Sequence, residues 1–192
     1  MPDRNDAALD FLLTRRSRPA KTLQLPIPSD PDLMTLLRAA ARTPDHGKLE
    51  PWRFLVLRRD ALLRLGGAVS EHGAKIGMDQ EKIDKAAQQF NTAHLAVAVV
   101  ASPKASEKIP ALEQTYSAGA ACLALLNAAL AAGWGANWLS GWASHDPNFV
   151  QTHLGLAPHE RVAGFIHLGT ESNAPPERPR PDLDTIITWI AK

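Results

Sequence analysis

The 192-residue sequence holds a single cysteine, Cys122. One cysteine excludes an intrachain disulfide, a Cys-x-x-Cys redox pair and a cysteine-rich zinc site. It fits a reducing compartment. Net charge is nearly absent as well, since 21 Lys and Arg against 20 Asp and Glu leave +1. Such a chain carries no global field for nucleic acid or an anionic membrane, and neither is expected as a partner. Long apolar runs are missing. The longest, Ala118 to Gly133, contains Asn127 and falls short of the roughly 20 apolar residues that span a bilayer. The first residues carry Asp3, Asp6 and Asp10 without an apolar core, unlike a signal peptide. A soluble cytoplasmic protein is the expectation.

Several catalytic signatures are also absent. There is no GxxxxGK[ST] loop, no HExxH and no GxSxG, which argues against P-loop, zincin and α/β-hydrolase chemistry. Gly133-Trp134-Gly135 begins like a dinucleotide fingerprint but lacks the third glycine and follows a helical pattern instead of a strand. His153, His159 and Glu160 match no zinc spacing. Cys122 lies in an Ala-rich apolar stretch with no neighbour to lower its pKa, so it reads as structural.

What is present is the mix of a globular chain, with 45% hydrophobic and 21% charged residues. Apolar spacing predicts a short helix over 6–14, followed by a Pro-rich extended stretch. Ser29 and Asp32 form a capping box for a helix bearing Leu33, Leu36, Leu37, Ala40 and Ala41, which Pro44 should end. Strands are expected at 54–57, at 95–101, at 134–138 and at 162–168. Helices are expected over 60–70 and 79–90, with Gly73 and Gly77 between them, over 116–132, and over 146–153 with Asp146 as cap and Pro147 first. Residues 171–192 read as a Pro-rich exposed tail of a single domain covering 1–192. The strands do not alternate regularly with helices, so the fold class is α+β. Trp134, Trp138 and Trp142 recur every four residues, either as a core stripe or as an aromatic wall against a flat ligand.

Two basic clusters stand out. Arg15-Arg16-Ser17 ends one helix, where two guanidinium groups and a hydroxyl could grip a phosphate or simply complement the helix dipole. Arg42, His46 and Lys48 surround the loop between a helix and a strand, the kind of place where ligand contacts concentrate.

Four segments in order carry a resemblance: Arg15-Arg16-Ser17; the loop Pro44-Asp45-His46-Gly47-Lys48-Leu49-Glu50-Pro51-Trp52; Gly133 to Gly141 (GWGANWLSG); and Phe165-Ile166-His167-Leu168-Gly169-Thr170. Together they resemble the nitroreductase family, and most closely its short NAD(P)H nitroreductase subgroup. That resemblance implies an intertwined homodimer with a mixed or antiparallel sheet flanked by helices. It implies FMN in the dimer interface and NADPH or NADH as co-substrate. The acceptor would be a nitroaromatic, a quinone or a similar small molecule. By residue, it implies that Arg15, Arg16 and Ser17 bind FMN, and that Arg42 and His46 approach from the partner subunit. Trp138, Leu139 and Ser140 would line the flavin. A nicotinamide nucleotide would lie near Ala128, Ala129, Leu130, Ala131, Ala132 and Gly133. The chemistry would be the cofactor's, so no catalytic residue is implied. A flavin-binding sensor without turnover and a reductive dehalogenase or enone reductase are the rival readings. The chain departs from larger members by carrying Asp45, Lys48 and Glu50 in the loop, and by a short or absent insertion over the active site.

Overall fold

The valine-rich run Leu95–Ala101 is a strand buried on both faces. Leu95, Val97 and Val99 enter one apolar cluster, whereas Ala96, Ala98 and Val100 enter the other. This alternation follows from the two-residue period of a strand. It makes this strand the middle of three layers.

The computed structural model describes residues 3–191. The helices are α1 (Asp6–Thr14), α2 (Asp30–Ala40), α3 (Arg59–Lys75), α4 (Gln80–Asn91), α5 (Ala111–Ala131), α6 (Trp142–His145), α7 (Pro147–Leu154) and α8 (Leu183–Ile186). The strands are β1 (Leu23–Gln24), β2 (Trp52–Arg58), β3 (Leu95–Ala101), β4 (Gly135–Leu139) and β5 (Arg161–Glu171). β5 pairs with β1, β3 and β4, and β3 pairs with β2, every pairing being antiparallel. α3, α4 and α7 cover one face through Leu65, Val69, Phe90 and Phe149. α2 and α5 cover the other through Leu33, Leu36, Ala121, Cys122 and Leu125. Among the described residues, no helix is long and apolar enough to cross a membrane.

Local signals decide most of the ends. Ser29 Oγ accepts from the Asp32 amide and Asp32 Oδ2 accepts from the Ser29 amide, closing the expected capping box. Asp146 caps α7 by accepting from the Phe149 amide at 2.9 Å. Some limits differ from expectation. α2 stops at Ala40, short of Pro44, because Arg42 and Thr43 turn back onto Ala39 and Ala40. Gly73 lies inside α3 instead of ending it, and a Cβ there would stand 2.7 Å from Ile83 Cγ1. Its role is close approach of α3 to α4. α5 starts five residues before Tyr116, just after Pro110. β1, α6 and α8 are additions to the expected elements.

Candidate functional site

The segment after α1 is stitched along β4. The Arg18 amide donates to Ala136 O at 2.8 Å, and Asn137 Nδ2 donates to Arg18 O at 2.7 Å. Arg18 also pairs with Glu171 at 2.8 Å. This fixes Arg15, Arg16 and Ser17 at one end of the sheet. Arg15 Nη2 donates to Ser17 Oγ at 3.0 Å and Arg16 Nη1 to Ser17 O at 3.3 Å.

Among the described residues, neither arginine has a carboxylate partner, and Nε of each is buried with nothing to donate to. Burial, Arg180 and Arg16 all push the Arg15 pKa down. Cations desolvated beside other cations form a site ready for an anion. Arg180 of the tail therefore approaches this cluster while pairing with Glu177 at 2.7 Å. Beside the cluster lies a cleft of about 290 Å³, lined by Phe11, Arg15, Arg16, Leu130, Gly133 and Trp134.

A larger cavity of about 720 Å³ opens further along that segment, against Pro19, Ala20 and Lys21. Lys21, Asn137, Leu139, Ser140 and Trp142 line one part, and Met78, Lys82, Lys85 and Gln89 of the α4 region line another. Ser140 Oγ lies 3.1 Å from His145 Nε2. Trp142 stacks near His72, which itself lies 3.0 Å from Asp146.

Leu139 and Ser140 reach this cavity. The Trp138 side chain does not. It lies on the opposite face of β4, over Gly164, where a Cβ would come within 2.0 Å of its Nε1. The three tryptophans form no common wall: Trp134 packs toward the α5 side, and Trp142 toward α3 and α7. In the stretch Ala128 to Gly133, Ala129 is wholly buried in the core, whereas Ala131, Ala132 and Gly133 are exposed. Core packing leaves Ala129 no surface to offer a nucleotide.

Arg42 and His46 lie elsewhere. His46 Nδ1 stands 2.9 Å from Glu113 in the first turn of α5, and Ser117 Oγ anchors the loop by donating to Pro44 O at 2.7 Å. Gly47, Lys48 and Glu50 all adopt positive φ, at 73°, 56° and 48°. Asp45 accepts from the Glu50 amide at 2.6 Å and holds that strained turn. The Arg15 cleft sits at the last turn of α5, with Leu130 and Gly133. A helix of 21 residues is roughly 30 Å long. The two basic clusters therefore stand at opposite ends of α5.

Sequence reading missed Lys82, Lys85 and Gln89. Their spacing on one face of α4, apart from Glu81 and Asp84, was the available signal.

The solved structures place the architecture first. A nitroreductase-like family protein from Bacillus cereus superposes with a TM-score of 0.79 at 22% identity, covering 100% of both chains. A nitroreductase with bound FMN from Bacteroides fragilis NCTC 9343 gives 0.74 at 21% identity, covering 97% of this chain and 100% of that one. The protein thus has the nitroreductase-like fold. The Nitroreductase family model matches residues 12–170. The Escherichia coli (strain K12) protein named "Putative NAD(P)H nitroreductase YdjA" is 36% identical over 163 residues, 85% of this chain and 87% of its own. The chain belongs to the nitroreductase family.

Proposed function

We propose that the protein is an FMN-dependent oxidoreductase, working as a homodimer in the cytoplasm, with residues 1–192 forming one domain per subunit. Met1, Pro2 and Lys192 of that range lie outside the described residues. It takes a hydride from NADPH or NADH and reduces a nitroaromatic, quinone or similar small acceptor.

The separation of the two basic clusters by α5 carries this reading. One chain cannot bring Arg42 and His46 to the Arg15 cleft, but a two-fold partner can. The surface supports a partner. α1 buries no residue and exposes Leu9, Leu12 and Leu13, and α5 exposes Leu112, Tyr116 and Leu123. Apolar surface of this extent marks an interaction face.

The residues present fit FMN. Buried, unpartnered Nε atoms on Arg15 and Arg16 suit its phosphate, and Ser17 Oγ adds a hydroxyl. Leu139 and Ser140 suit the ring system in the larger cavity, which Trp138 does not line. Bound FMN would supply two-electron transfer between the nicotinamide and the acceptor. Arg42 and His46 of the second subunit would close the site and add positive charge. A nicotinamide nucleotide beside Leu130, Ala131, Ala132 and Gly133 is part of the same reading, on the exposed end of α5.

The absorption spectrum of the purified protein tests this, followed by anaerobic titration with each nicotinamide. A yellow protein bleached by NADPH or NADH is expected. A colourless protein that takes up no added FMN overturns the reading, and flavin that stays oxidised overturns the enzymatic part.

A further inference from the structure

The near-zero net charge conceals a separation of sign on α4. Lys82 and Lys85 line the large cavity, and Ala86 and Gln89 continue the same face. Glu81 and Asp84 line no part of it, and Asp84 instead accepts from Gln80 at 2.8 Å. Lys21 reaches the cavity from the segment after α1. Among the described residues, no carboxylate side chain lines the cavity. Among the described residues, none of the three lysines forms an ion pair. Much of the remaining wall is apolar, including Met78, Leu139 and Trp142. Three unneutralised ammonium groups around an apolar wall focus a positive potential on whatever enters.

We propose that this cavity selects a substrate carrying an oxyanion, with Lys82 and Lys85 as specificity-determining residues and Lys21 assisting from the segment after α1. The inference rests on the flavin-dependent reading above. The oxyanion is a carboxylate on a small aromatic acceptor or a phosphate of the nicotinamide nucleotide, because both present the same chemistry to an ammonium group. The overall step balances without a further reactant. Hydride from NAD(P)H and a proton from water convert a nitro group to a nitroso group and water, and NAD(P)+ leaves.

The test uses the flavin-loaded protein and the double variant Lys82→Gln/Lys85→Gln. Glutamine keeps helix propensity at these exposed positions. Steady-state rates are compared for para-nitrobenzoate and its neutral isostere para-nitrobenzamide, and KM is measured for NADPH and NADH. Calorimetric titration of the protein with benzoate and with benzamide, without nicotinamide, gives a readout independent of turnover. If the acceptor carries the oxyanion, the kcat/KM ratio of nitrobenzoate to nitrobenzamide falls about fivefold in the variant, and benzoate binding weakens. If the nucleotide carries it, that ratio holds while KM for both nicotinamides rises by a similar factor. Lys82→Arg/Lys85→Arg restores the wild-type values in either case, and added salt erodes the wild-type preference. A yellow, active protein in which neither the ratio nor either KM moves overturns this inference alone. A colourless protein overturns the flavin reading and this inference with it.

Discussion

Arg53 and Glu160 form a two-pronged ion pair, with Nε and Nη2 each 2.7 Å from a carboxylate oxygen. Glu160 is 5% exposed and also accepts from the Ala157 amide at 2.9 Å. The pair ties β2 to the turn that opens β5. Removing one prong from a buried pair leaves the other charge poorly solvated. Glu160→Gln is therefore expected to lower stability by about 2 kcal/mol in urea denaturation at neutral pH. A loss under a few tenths would show that the pair is replaceable by water.

Two groups with large shifts dominate the pH dependence. The Arg53 hydrogen bond, against the cost of burial, holds the Glu160 carboxyl down at about 2. Its contribution is complete above its ordinary value of 4.5 and is lost as pH falls toward 2. His167 is 1% exposed, neither ring nitrogen has a partner among the described residues, and burial pushes its pKa down to about 4. The folded protein holds it neutral while the unfolded chain takes up a proton. That stability is full above 6.5 and is lost as pH falls toward 4. Stability should thus decline in two stages, the first near pH 6 to 4 and smaller in a His167→Leu variant, where the lowered His153 still contributes. An unchanged first stage in that variant would remove His167 from the account.

The same variant should be more stable than the wild type at neutral pH, by about 1 kcal/mol, because an apolar side chain of similar size carries no unmet hydrogen bonds. Thermal or urea unfolding reads this directly. A destabilised variant would mean that His167 has a hydrogen-bonding partner in the assembled protein.

Arg15→Ala is expected to weaken FMN binding by about 1–3 kcal/mol, the cost of a charge-assisted hydrogen bond. Flavin fluorescence during titration measures it. Unchanged affinity would return Arg15 to the role of a cation at the end of α1.

Leu13, 72% exposed on a helix with no buried residue, should be covered by the partner. Leu13→Glu is expected to shift sedimentation toward the monomer and to lose flavin in parallel. A dimer that keeps its flavin would move the interface elsewhere.

Much of the fold was legible because its signals are local. The Leu95–Ala101 run is a strand with the expected limits, and the Ser29–Asp32 and Asp146–Pro147 caps stand where the residues put them. Side-chain direction was less legible. The face that Trp138 takes depends on its register opposite Ile166, and on the gap left by Gly164. No pattern within β4 holds that information. Gly73 looked like a helix breaker because its reason is Ile83, on another helix. The basic clusters were found by residue type, but their distance depends on the full length of α5, which begins before the apolar repeat becomes regular.

That length has a genetic meaning. If the proposed two-fold dimer forms, each pocket would combine the Arg15 end of one chain with the His46 end of the other. A chain altered at Arg15 and a chain altered at His46 would each fail as a pure dimer. Co-expressed, they would assemble hybrids in which one pocket collects both lesions and the other collects neither. Two defective alleles would then complement each other, restoring a single intact pocket per hybrid.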